Sequence, residues 1–173
     1  VSVVLSAGMN RRLFSYMGEF DELVPDERGS LRKRIVLKVS DYRSALLLGK
    51  LLARLGLHVS EFRVESGLNC GGHAFGDKGH VLGPILEEFN REKAKLVEQL
   101  HGMSDKALAA LGRERPQEPL PIRITVQGGI GTAEEAQMLH EVYGVDSTGW
   151  GSPFLLVPEV VSIDEPHLQK VAA

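Results

Sequence analysis

Eleven consecutive residues, SGLNCGGHAFG at positions 66–76, hold four glycines, the chain's single cysteine and a histidine. Gly71 and Gly72 strip side chains from a stretch where a planar ring could lie against backbone. His73 would stand beside that ring, and imidazole exchanges protons near neutral pH. The plain alternative is a histidine that ties the loop to itself.

Two further glycine turns follow. In QGGIGT (127–132), Gly128, Gly129 and Gly131 leave backbone N–H groups uncovered. A helix starting near Thr132 adds unsatisfied donors and the positive end of its dipole, the ingredients of a phosphate site. A tight strand-to-helix turn with no ligand would read the same way. In GWGSPF (149–154), Gly149 and Gly151 bring a second glycine pair one strand later, and Ser152 adds a hydroxyl. Lys38 is a charge near the end of an apolar strand; it could point into a site or out to solvent.

Other reactive residues carry less. Cys70, His73 and His80 do not have the spacing of a zinc framework, so no metal is expected. Cys70 has no partner base beyond His73 and reads as a small packed residue. His101 and His140 fall on helices and read as solvated, and His58 and His167 carry no signal.

These turns need elements to hold them. VSVVLSAG reads as a buried strand running to a turn, RRLFSYM as a short helix, and RIVLKVS (34–40) as a second strand. Ser40 is positioned to cap the next helix and Gly56 to end it. EFRVES (61–66) is a third strand. Pro84 opens a helix with Ile85, Phe89, Leu96 and Leu100 on one stripe, and residues 102–120 read as a further short helix and a polar loop. PIRITV (121–126) is a fourth strand, and Thr132 with Glu135 forms a capping box for the helix after it. VDSTGW (145–150) is a fifth strand, SPFLLVPEVVSI an irregular apolar stretch, and DEPHLQKVAA the start of a last helix. Strands alternating with helices argue an α/β fold with parallel strands buried on both faces. Parallel strands end on one side of the sheet, so the three glycine turns should share one rim, where ligands bind.

The bulk properties agree. With 173 residues the chain is long enough for one domain with a real core, and 43% hydrophobic with 25% charged residues suits a globular protein. A net charge of −3 without a basic block argues against nucleic acid. One cysteine excludes an internal disulfide and fits a reducing cytoplasm. The richest apolar stretch, 45–57, is short and interrupted by Lys50 and Arg54, so no membrane span is expected.

Taken in order, VVLSAGMN, RIVLKVSDYRSAL, GLNCGGHAFG, ITVQGGIGTAEEA and DSTGWGSPFL resemble the second part of the nitronate monooxygenase family, the FMN-dependent barrels once called 2-nitropropane dioxygenases. Flavin enoyl-ACP reductases are close relatives of that family. The likeness runs over residues 3–156; each motif alone is weak, and five in the right order are fairly specific. The resemblance implies a single domain, 1–173, of parallel (β/α)8 TIM-barrel type, with strands four to eight present as a partial barrel and FMN-binding half. It implies Lys38 near the flavin, Gly71 and Gly72 beside the ring, and His73 as the active-site histidine. It also implies Gln127, Gly128, Gly129, Gly151 and Ser152 around the phosphate. An acidic residue common in the family falls on Ser66, with Glu65 adjacent. The family's threonine after the last glycine is Ser152, its arginine is Pro153, and the segment 83–121 is longer than usual. These departures lie on the substrate side.

A full eight-stranded barrel takes about 250 residues, so the sequence reads as the C-terminal part of a longer chain. The expected function is an FMN-dependent oxidoreductase that oxidises a nitronate or similar carbanion-like small substrate with oxygen. Three alternatives stay open: an enoyl-ACP reductase-like enzyme, a flavin-free phosphate-binding barrel lyase or isomerase, and a non-catalytic barrel fragment.

Overall fold

The computed structural model describes residues 1–65 and 82–150, with 164, 166 and 169 as isolated positions. Five strands form one parallel sheet in chain order: β1 (Ser2–Leu5), β2 (Arg34–Val39), β3 (Val59–Glu65), β4 (Arg123–Gln127) and β5 (Ser147–Gly149). The helices between them are α1 (Arg11–Met17), α2 (Tyr42–Ala53), α3 (Leu82–Ala110) and α4 (Ala133–Tyr143). Each crossover advances the sheet by one strand in the same direction. Crossovers of one hand then place every helix on the same side. The core bears this out: Phe14, Leu48, Leu52, Leu96 and Leu139 from the four helices join Leu37, Phe62, Val64, Ile124 and Val126 from the strands in one cluster.

The alternate strand positions make the second face, and it is polar. Apart from Val4 and Val36, it carries Arg34, Lys38, Glu61, Arg63, Glu65, Arg123, Thr125 and Gln127. The expected burial on both faces holds for Val36, Glu61, Glu65 and Thr125, but the second face is mainly polar rather than apolar. The residues were legible as EFRVE, where charges recur at every second position, a period that assigns them all to one side of a strand. The barrel expectation is met at a coarser level, as an α/β fold with a parallel sheet. Among the described residues that sheet is open, and no pairing joins β5 to β1.

A bulge shifts the alternation near the start of β3. Ile35 pairs with Val59, whereas Val36 pairs with Glu61, which leaves Ser60 as the extra residue. Val59 and Phe62 both enter the core, so Ser60 and Glu61 are left together on the polar side.

Local signals placed most of the helices. Thr132 caps α4 by accepting from the Glu135 amide, and the Glu135 carboxylate reaches back to the Thr132 amide, as the capping box requires. Gly56, at φ 76°, ends α2 with the Leu57 amide on the Leu52 carbonyl and its own amide on that of Ala53, a Schellman motif. The cap of α2 is Asp41 rather than Ser40. The Asp41 carboxylate accepts from the Ser44 amide at 2.7 Å, and the Ser40 hydroxyl donates to Asp41 at 2.8 Å. Residues 102–110 continue α3 instead of forming a second short helix, because Ser104 and Leu108 extend its buried stripe beyond Gly102.

Packing between α2 and α3 is tight enough to need a glycine. A Cβ on Gly49 would stand 2.8 Å from Leu100 Cδ1 and 3.1 Å from Phe62 Cζ. Alanine at a helix position ordinarily gains about 1 kcal/mol over glycine. Here overpacking should outweigh that gain, and Gly49→Ala should lose about 1 kcal/mol net. Urea unfolding checks the sign; a more stable variant would show that Leu100 yields without cost.

Candidate functional site

The C-terminal ends of the strands define one rim. Glu65, Gln127 and Gly149 are lateral neighbours there, paired across β3, β4 and β5. Lys38 lies one row below on β2, and its ammonium reaches Glu65 Oε1 at 3.0 Å. The same oxygen accepts from Gln127 Nε2 at 3.2 Å. Glu65 is 4% exposed. A buried carboxylate is costly unless it is paired and hydrogen-bonded. Lys38 and Gln127 meet that requirement, and in doing so Glu65 fixes the direction of both.

The row beneath is structural. Glu61 Oε1 accepts from Arg63 Nε at 3.0 Å, Arg63 Nη2 at 2.7 Å and Thr125 Oγ1 at 2.8 Å. This network crosses from β3 to β4 and keeps a buried acid satisfied, which allows a charged layer below the rim.

At the end of β4 the chain reverses through Gly128 (φ 84°) and Gly129 (φ 70°). Two successive residues in the left-handed region are accessible to glycine and costly for other residues. The Gly128 amide donates to the Gly149 carbonyl at 3.2 Å, so the turns after β4 and β5 begin side by side. Gly149 also keeps space for its neighbour, since a Cβ there would meet Gln127 Cβ at 3.3 Å. Trp150 follows and donates from Nε1 to Thr148 Oγ1 at 3.1 Å.

The α4 N-terminus is partly self-satisfied. Glu135 Oε2 accepts from the Gly131 amide at 2.7 Å and from the Thr132 amide at 3.1 Å. A carboxylate therefore already holds two of the donors read as a phosphate cradle. Asp146 fastens the opposite ends of β4 and β5. It accepts from Lys93 Nζ and the Ile124 amide, each at 2.7 Å. Burial pushes its carboxyl up, but those two donors more than reverse this and hold it below the usual range.

Of the residues singled out from sequence, Lys38, Gln127, Gly128 and Gly129 come together at the rim, with Gly149 beside them. Lys38 faces the polar side of the sheet rather than reaching away from it. Ser66, Cys70, Gly71, Gly72, His73, His80, Gly151, Ser152 and His167 lie outside the described residues. His140 is tied by Nδ1 to the Val145 carbonyl at 2.8 Å, more anchored than its solvated reading implied.

Two residues escaped sequence reasoning. Glu65 had a signal in the EFRVE alternation. His58 had none, because its surroundings come from distant parts of the chain. Its Nε2 lies 3.3 Å from the Pro121 carbonyl. Burial pushes its imidazole down to about 4, with the Pro121 contact opposing and His101 assisting. The carbonyl can only accept, so Nε2 carries the proton and the ring is neutral at pH 7.

No group of three or more metal-ligating side chains occurs among the described residues, and none of their helices is long and apolar enough to cross a membrane. Comparison with known families, curated proteins and solved structures finds no match to this chain.

Proposed function

We propose that the rim belongs to an FMN-dependent oxidoreductase of the nitronate monooxygenase kind, acting on a small carbanion-like substrate with oxygen as electron acceptor. In this reading the five strands are strands four to eight of a (β/α)8 barrel. The polar sheet face is the barrel interior, and sequential strands with helices on one side are what such a barrel requires. The observation that carries the reading is the Lys38–Glu65–Gln127 cluster beside the Gly128–Gly149 reversal, all at the C-terminal strand ends.

The ring end of the site suits a flavin. Gly149 presents no side chain, and the Lys38 ammonium and the Gln127 amide beside it are both oriented by Glu65. The phosphate end suits FMN when Glu135 gives up Gly131 and Thr132. FMN, when bound, supplies the redox chemistry. The protein's part is electrostatic and geometric. Lys38 balances negative charge at the ring edge, Glu65 holds Lys38 and Gln127 in line, and the turns after β4 and β5 cradle the phosphate. His73 takes the proton-handling role that the family resemblance gives it.

Titration of the chain with FMN and with riboflavin, followed by flavin fluorescence, tests this. FMN should quench on binding and riboflavin should bind more weakly. Glu135→Gln removes a negative charge beside the phosphate donors, so it should tighten FMN several-fold and leave riboflavin unchanged. Equal affinities for the two flavins, or an unquenched titration, would sink the reading. Binding of inorganic phosphate that tightens with Glu135→Gln, without FMN binding, would instead favour the lyase or isomerase.

A further inference from the structure

A cavity lies on the same sheet face at the end opposite the rim, where the strands begin. It measures about 340 Å³ and is walled by Arg34, Arg123, Ser60 and His58, with Leu31 and Leu120 on its apolar side. That volume is within the range of small-molecule sites.

Its charge is unbalanced. Arg34 and Arg123 line it against one carboxylate, Glu61. Glu61 is taken by Arg63 at 2.7 Å and lies 3.9 Å from Arg123. Among the described residues no ion pair involves Arg34. His58 adds no charge at neutral pH. The bulge in β3 supplies an independent sign. It turns Ser60 onto this side of the sheet, and the Ser60 hydroxyl is buried with no hydrogen-bond partner. A buried polar atom left unsatisfied is what a missing water or ligand leaves behind.

We propose that this basal cavity binds a small organic anion. A carboxylate or phosphate head sits on Arg34, with Arg123 beside it, and draws the Ser60 hydroxyl into its hydrogen bonding. The body of the ligand lies along Leu31 and Leu120. A guanidinium suits either head because its planar donors match two acceptor oxygens at once. The site is separate from the rim, so it does not rest on the flavin reading.

Thermal unfolding and calorimetric titration with inorganic phosphate and with citrate, against sodium chloride at matched ionic strength, test the proposal. A saturable rise in unfolding midpoint with phosphate or citrate, absent with chloride, is expected. The stronger of the two identifies the head group. Arg34 is exposed and unpaired, so Arg34→Gln should fold normally and weaken binding about tenfold. Ser60→Ala should weaken it by a smaller factor, and Glu135→Gln should leave it intact. A response that fails to saturate, that survives Arg34→Gln, or that vanishes with Glu135→Gln overturns the basal site.

Discussion

Lys38→Met lowers stability by about 3 kcal/mol, because it leaves the buried Glu65 carboxylate without its cation. The Lys38 side chain is 31% exposed and so only moderately desolvated, whereas the Glu65 side chain is 6% exposed. The cost therefore arises at Glu65, which keeps Gln127 as a donor but loses its counter-charge. Replacing the acid as well removes the stranded charge, so Lys38→Met with Glu65→Leu should recover most of the loss. Urea unfolding of the parent, both single variants and the double variant gives the coupling directly. Losses that simply add would show that the two side chains do not act as a unit. The same series separates stability from function. Under the proposed reading Lys38→Met also weakens flavin binding, and the double variant refolds without regaining it.

Acid destabilises the protein through His58. The unfolded chain takes up a proton at its ordinary value of 6.5 and the folded chain only at about 4. Between these values the unfolded state holds more protons, so stability rises with pH. The contribution is complete above pH 6.5 and is lost progressively toward pH 4. A gap of that size corresponds to about 3 kcal/mol, reduced to about 2 kcal/mol by solvent at a partly exposed ring. Charge on a second histidine acts in the same sense. His101 on α3 opposes an imidazolium, while Arg34, Arg123 and Glu61 line the same cavity, Glu61 engaged by Arg63. His58→Asn keeps a donor for the Pro121 carbonyl and removes the titration. The stability difference between parent and variant should therefore change by about 2 kcal/mol from pH 7 to pH 4. Parallel curves would mean that His58 charges as easily folded as unfolded. Asp41 and Asp146, whose carboxyls the fold holds low, lose stability on acidification in both proteins and cancel in the comparison.

Local chemistry carried much of the architecture. The Thr132–Glu135 box, the glycine at residue 56, the β-branched run RIVLKV and the double glycine at 128 and 129 each act within a few residues, so their meaning survives without a fold around them. Element order then followed, and with it a parallel sheet whose turns at β4 and β5 share one end. Boundaries were weaker, as α3 shows: a helix can run through Gly102 when residues on either side of it, Leu100, Ser104 and Leu108, are buried.

Other features needed the chain folded. That Glu135 also takes the Gly131 amide depends on a rotamer and goes beyond what the capping box itself requires. The joint hold of Glu65 on Lys38 and Gln127 depends on register across three strands, and register is a property of pairing. The neutral His58 and the unpartnered Ser60 are set by burial and by a one-residue bulge, and both come from contacts far apart in sequence. Sequence alone thus placed Lys38, Gln127, Gly128 and Gly129 at the C-terminal ends of their strands, because propensity and capping are local. Tertiary structure decided which charges are balanced and which are left over, because desolvation and pairing depend on everything a side chain is packed against.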